Sequence, residues 1–249
     1  MVATGVLISG PTVMLYAGQS DSAFPEAAGW FRKKKKSEAK DSVRSRSNYE
    51  KLTGDGAIVH TGMFNVYRKK NDYYFEVPAK LLGRDMLVVN KLQRVPSELN
   101  EAGVNRGTNY ENQMVRFELD KAAGKLLVRQ SRPLPLAPEG DAIRQSVLDN
   151  YISPLIAGFK VEAFNEDSTA MVVKVNDIYD GTETSINNVF TNINLGTSAI
   201  KNLSRILSIK SFENNVVATS ELTTKVTEGT TTVYAVSYTH LTLPTILRV

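Results

Sequence analysis

The chain has 249 residues, no cysteine and only two histidines, His60 and His240. Without cysteine there can be no disulfide framework and no thiolate chemistry. The longest apolar run, Val6 to Tyr16, falls short of the ~20 residues a membrane-spanning helix requires. No period of 20 to 50 residues recurs, which excludes a repeat array. The Gly-x-Ser-x-Gly elbow and the Gly-rich phosphate loops are absent. "SEAK" (Ser37 to Lys40) fits Ser-x-x-Lys, but it lies in a charged run that could not hold a nucleophile. A zinc centre takes several His or Cys ligands. His60 alone cannot build one, and it reads as a structural histidine at the surface or half-buried.

What is present is ordinary for a globular chain: 42% hydrophobic and 22% charged residues. The formal net charge is +4, but Arg32 to Arg46 holds eight Lys/Arg and two Asp/Glu, a net of +6. The remainder therefore carries +4 − 6 = −2. The basic character belongs to one short polar run, of the kind that is usually solvated linker. No aromatic residue interleaves with these lysines, so no nucleic-acid stacking platform is expected. Small residues follow the Val6–Tyr16 run, as in a secretory signal peptide, although the basic n-region is missing. The expected organisation is a signal peptide over 1–23, clipped at its start, and a basic linker over 24–47. A small β domain over 48–95 and a second β-rich domain over 96–235 follow.

Beyond Asn48 the pattern is one of hairpins. Met63–Lys69 and Tyr73–Pro78 flank the turn residues "KKND", and "AKLLG" reads as one helical turn closed by Gly83. Asp85–Val95 is a strand stopped by Pro96, and the polar stretch from Ser97 to Asn112 reads as a long loop. Runs at Met114–Leu119 and Leu126–Val128 flank "DKAAGK". "RPLPLAP" is extended. Ile143, Val147, Leu148 and Tyr151 share the spacing of one helix face, with Asp141 as N-cap. A hairpin with "NEDS" at its tip follows, then a weakly patterned Asn/Thr/Gly-rich stretch from Ile178 to Leu203, then three more strands. The expected fold class is mostly β: antiparallel hairpins, sandwich-like, with one or two short helices, a β-rich α+β domain.

Candidate sites are few. Asp177, Asp180 and Glu183 in "NDIYDGTE" offer oxygen ligands for calcium, without EF-hand spacing. Asp180-Gly181 is equally a turn. Tyr73, Tyr74 and Tyr110 could form an exposed face for sugar or peptide, or fill a β core. Carboxylate pairs are plentiful but none is distinctive.

The runs Tyr73–Asp120, Arg129–Phe190 and Leu195–Thr223 resemble, in wording and not only in composition, part of a known family. They are similar to the N-terminal region of large secreted bacterial zinc-dependent metalloproteases, in which two domains of unknown function precede a metzincin-like catalytic domain. The resemblance covers about Asn48 to Tyr234. It implies a parent that uses zinc-activated water, a His-Glu-x-x-His helix and a glutamate base. None of those positions exists in this chain, so no catalytic residue carries over. The implied role is non-catalytic: scaffold, substrate platform or latency region, with the parent's own catalytic domain as partner. No cofactor is expected in this part, and zinc is expected in the parent. The implied location is the secreted, periplasmic or outer-envelope space of a Gram-negative bacterium. The competing reading is a free-standing envelope β-domain that binds glycan or peptide.

The resemblance breaks off near "TTVYAVSYTHL". Val236 to Thr245 back-translates without conflict to GTC TCT TAT ACA CAT CTG ACG CTG CCG ACG. That string resembles the transposase adapter of short-read libraries. Residues 236–249 are thus expected to be translated adapter at the end of a truncated metagenomic reading frame, leaving His240 without a role. The opposing expectation is a genuine strand, in which Val236, Tyr238, His240 and Thr242 alternate.

Overall fold

The computed structural model describes residues 47–242, apart from 55, 133–137 and 197. The expected signal peptide, almost all of the basic linker, Ser37–Lys40, "PLPLA" and residues 243–249 lie outside the described residues. No helix among the described residues is long and apolar enough to cross a membrane.

The chain is mostly antiparallel β. Eleven strands form one sheet: β1 (Ile58–His60), β2 (Asn65–Lys69), β3 (Asp72–Pro78), β4 (Asp85–Arg94), β5 (Asn109–Asp120), β6 (Lys125–Gln130), β7 (Leu155–Phe164), β8 (Ala170–Lys174), β9 (Arg205–Ser211), β10 (Asn215–Val226) and β11 (Gly229–Leu241). Their order is β1-β2-β3-β8-β7-β6-β5-β4-β11-β10-β9, and every neighbouring pair is antiparallel. The sheet curls until its ends almost meet. It encloses by itself the core that two layers of a sandwich would share.

Period-two patterning drives this arrangement. β4 buries Met86, Val88, Asn90 and Leu92 and leaves the alternate positions partly exposed. β10 does the same with Val216, Ala218, Ser220 and Leu222. The interior joins Phe64, Phe75, Met86, Val115, Phe117, Val173 and Ile209 in one cluster, drawn from both sides of the 95/96 boundary. β3 is buried on both faces: Tyr73, Phe75 and Val77 point inward, while Tyr74 and Glu76 point outward beneath the short helix α1 (Asn48–Thr53). That double burial explains its unbroken aromatic run. α1 begins with a capping box, in which the Ser47 hydroxyl accepts from the Glu50 N–H and the Glu50 carboxylate accepts from the Ser47 N–H.

Several local expectations change in the folded chain. The loop after Pro96 contains α2 (Ser97–Glu101), and its last residues, Asn109 to Asn112, already belong to β5. The expected helix exists as α3 (Arg144–Asn150), but Asp141 caps the turn before it, accepting from the Ile143 N–H at 3.0 Å. The weakly patterned stretch is not surface loop. It carries α4 (Asn176–Tyr179) and α5 (Val189–Asn192) and buries Ile178, Tyr179, Ile186, Val189, Phe190 and Ile193 across one end of the sheet. Gly181 turns the chain there with φ +80°, and a Cβ on it would stand 2.5 Å from the Ala199 Cβ. β11 runs on through Leu241, and its residues 234–241 pair with β4 on one side while β10 flanks it on the other.

Candidate binding cleft

The curled sheet is filled. Its interior holds a cavity of about 30 Å³ walled by Phe64, Phe75, Val88, Phe117 and Val173. A space of that size admits about one water molecule, so the interior is a core and not a ligand cup.

The larger opening lies outside it, between the β2–β3 turn and the start of β9, beside α4. This cleft measures about 700 Å³ and is lined by Arg68, Tyr73, Asn176, Asp180, Lys201, Arg205 and Leu207 among others. Tight turns place these groups. Lys70 adopts a positive φ of 58° in the two-residue turn of the β2–β3 hairpin. Asn176 fixes α4 against that hairpin: its Oδ1 accepts from the Tyr73 N–H at 2.8 Å, and its Nδ2 donates to the Asn71 carbonyl at 2.8 Å. The Arg68 guanidinium lies over the Tyr73 ring at 5.5 Å and donates through Nε to the Lys70 carbonyl. Burial raises the Tyr73 phenol above its usual value, with Arg68 opposing. Lys201 Nζ stands 3.4 Å from Asp177, and Arg205 stands 2.5 Å from Glu221. The hydrogen bond from the Tyr234 hydroxyl, and then that from Arg205, hold the Glu221 carboxyl below the usual carboxylate range. Arg68 has no carboxylate partner among the described residues.

Of the residues singled out from sequence, Tyr73 and Asp180 line this cleft and the others do not. Asp177 pairs with Lys201, Asp180 accepts from the Thr182 N–H at 2.9 Å, and Glu183 accepts from the Ser185 N–H at 2.9 Å. Among the described residues no three His, Cys, Asp or Glu side chains converge as a metal-holding group. Of the two readings of Tyr73, Tyr74 and Tyr110, an exposed face or a β core, the structure takes the core. Tyr73 and Tyr74 are buried, and Tyr110 is half-buried with its hydroxyl on Asn187 Oδ1 at 2.6 Å. The reason is double coverage: α1 and the sheet interior take the two faces of β3, and the stretch around Asn187 covers Tyr110. His60 ends β1 and is half-buried.

Two polar clusters were not foreseen. Glu76, 4% exposed, accepts from the Tyr49 hydroxyl at 3.0 Å, Asn65 Nδ2 at 2.8 Å and the Tyr67 hydroxyl at 2.7 Å. Inside the sheet, Asn90 Nδ2 donates to the Ile186 carbonyl at 2.7 Å, and Gln113 Nε2 donates to Glu111 and to the Ser185 carbonyl. Asn90 Oδ1, Gln113 Oε1 and the Ser237 hydroxyl are buried there without a partner among the described residues. Ser237 lies directly opposite Asn90.

Among the described residues, eleven exposed large apolar side chains fall into two groups. Six (Met114, Ile143, Leu148, Tyr151, Ile152, Leu155) belong to α3, the residues flanking it, β5 and β7, while five (Ile58, Val59, Leu203, Leu207, Phe212) lie on or next to the end strands. Three of the four residues that share one helix face in the sequence, Ile143, Leu148 and Tyr151, are thus exposed.

A family model described as a domain of unknown function (DUF5117) matches residues 107–245, and a second domain of unknown function (DUF5118) matches residues 46–95. No curated protein and no solved structure matches the chain.

Proposed function

The chain belongs to the DUF5117 family, and from that premise we propose that it is the non-catalytic N-terminal region of a secreted zinc-dependent metalloprotease. It serves there as scaffold, substrate platform or latency region and is inactive by itself. The observation that carries this reading is the resemblance of Tyr73–Asp120, Arg129–Phe190 and Leu195–Thr223 to that region. The two tandem domain matches are consistent with it. Zinc and the water-activating glutamate belong to the parent's catalytic part, and that part is the partner of this one. The uncovered apolar side chains of α3 and the residues after it, with Leu148 47% and Ile152 75% exposed, form the surface assigned to it.

Residues 236–249 are read, within the same proposal, as translated adapter. The buried Ser237 hydroxyl and the Asn90 oxygen facing it, both without partners, support that reading, because native interiors rarely leave such groups unpaired. The pairing of β11 through Leu241 and the family match through residue 245 are what a native strand would give.

Sequencing through the 3′ end of the gene from source DNA tests both parts. A frame that departs from this sequence after Tyr234 and reaches a His-Glu-x-x-His helix is the expected result. A stop codon directly after Val249 in genomic DNA would overturn both.

A further inference from the structure

The sheet stops short of closing. Its two end strands, β1 and β9, are each paired on one side only. Beside them, the Met63 N–H, between β1 and β2, donates to the carbonyl of Phe212, the residue after β9, at 2.7 Å. Gly62 sits so tightly in that corner that a Cβ would lie 2.5 Å from the Phe212 oxygen. The cleft lies between β2 and β9: Arg68, opposite Ile58 of β1, and Arg205, the first residue of β9, line it together.

Free strand edges offer unpaired N–H and C=O groups, and proteins usually blunt them with charge, proline or cover. These edges mix charge, Arg205 and Lys210 of β9, with uncovered apolar side chains. Ile58 is 55% exposed, Phe212 is 50% exposed, and Val59, Leu203 and Leu207 join them. The cleft beside them is basic: Arg68, Lys201 and Arg205 line it against the single carboxylate of Asp180. Lys201 and Arg205 are already paired, so Arg68 is the cation left to recruit a negative group. Its guanidinium is held in place by Tyr73 and by the Lys70 carbonyl.

We propose that this seam accepts an extended peptide strand bearing carboxylate side chains. The strand pairs with the free edge of β9, lays its apolar residues on Leu207 and Phe212, and sets a carboxylate on Arg68. Alternate residues of a strand face opposite sides, so a peptide alternating apolar and acidic residues satisfies both surfaces at once. Strand addition of this kind takes affinity from main-chain pairing and specificity from side chains. A small anion would use the cations alone and leave the apolar edges unused. The proposal does not depend on a protease parent.

The test uses the full chain and two fluorescent, end-blocked heptapeptides, one alternating valine with glutamate and one alternating valine with lysine. The acidic peptide should bind at least roughly tenfold more tightly, a difference of ~1.4 kcal/mol, and should slow amide exchange along β9. R68E should abolish that preference and R68Q should reduce it. Arg68 is exposed, so both variants should keep the fold. L207K should weaken binding of either peptide. Equal affinity for the two peptides, protection on α3 instead of β9, or no binding at about 1 mM would sink the proposal. Complete displacement of the acidic peptide by equimolar inorganic phosphate would also overturn it, leaving only a small-anion site.

Discussion

Replacing Glu76 by glutamine keeps size and shape but reverses one half of the side chain. Glu76 is 4% exposed, and its carboxylate accepts from three neutral donors at 2.7 to 3.0 Å: Tyr49, Asn65 and Tyr67. No salt bridge among the described residues includes it. Hydrogen bonds to a charged acceptor are worth ~1.5–3 kcal/mol each, and a buried donor left unmatched costs ~1–3 kcal/mol. In E76Q the new amide group meets Asn65 Nδ2 and the Tyr67 hydroxyl, the two donors that Oε2 serves. The expected loss is about 3 kcal/mol, a large share of the 5–15 kcal/mol typical of a folded domain. Y67F alone removes one donor and should cost ~1.5–3 kcal/mol. The double variant should cost less than the sum by at least about 1 kcal/mol, because both changes break one shared contact. Urea unfolding with linear extrapolation measures all three. An E76Q loss below about 0.5 kcal/mol, or strict additivity, would refute the view that this carboxylate clamps α1 and β2 to β3.

Removing the Ser237 hydroxyl should stabilise the protein. The oxygen is buried without a partner, so S237A should gain about 1 kcal/mol and raise Tm by roughly 2–4 °C; a lower Tm would show that the hydroxyl is satisfied. Alkaline pH should unfold the chain. The Tyr67, Tyr110 and Tyr179 phenols are all raised above 10, with burial the largest cause in each, and Tyr179 is pushed up to about 12. An unfolded tyrosine loses its proton near ~10, so above that pH the native state binds more protons and stability falls as pH rises. Tyr179 alone accounts for about 3 kcal/mol between about pH 10 and 12, and these phenols add no slope below about pH 10. Urea midpoints that stay level from about pH 9 to 11.5 would contradict this.

The hairpins were legible because their signals are local. "KKND", "DKAAGK" and "NEDS" sit between runs of period-two hydrophobicity, and each becomes a turn between paired strands. The stretch from Ile178 to Leu203 showed only a weak pattern for the opposite reason. Its apolar residues follow neither period, since they fill the end of a sheet instead of repeating along one. The cleft left no mark in the sequence at all: Arg68, Asn176 and Arg205 come from three separate elements.

By itself, then, the sequence determined the strand class, the turns, the absence of thiol chemistry and the family to which the chain belongs. These depend on residue identity and short-range spacing. Only the tertiary structure decided that the tyrosines of β3 are core, that the carboxylates of "NDIYDGTE" are engaged separately, and that β2 and β9, far apart in the strand order, line one open cleft. Those outcomes depend on which distant strand covers which face. Long-range pairing sets that coverage, and no local window of sequence encodes it.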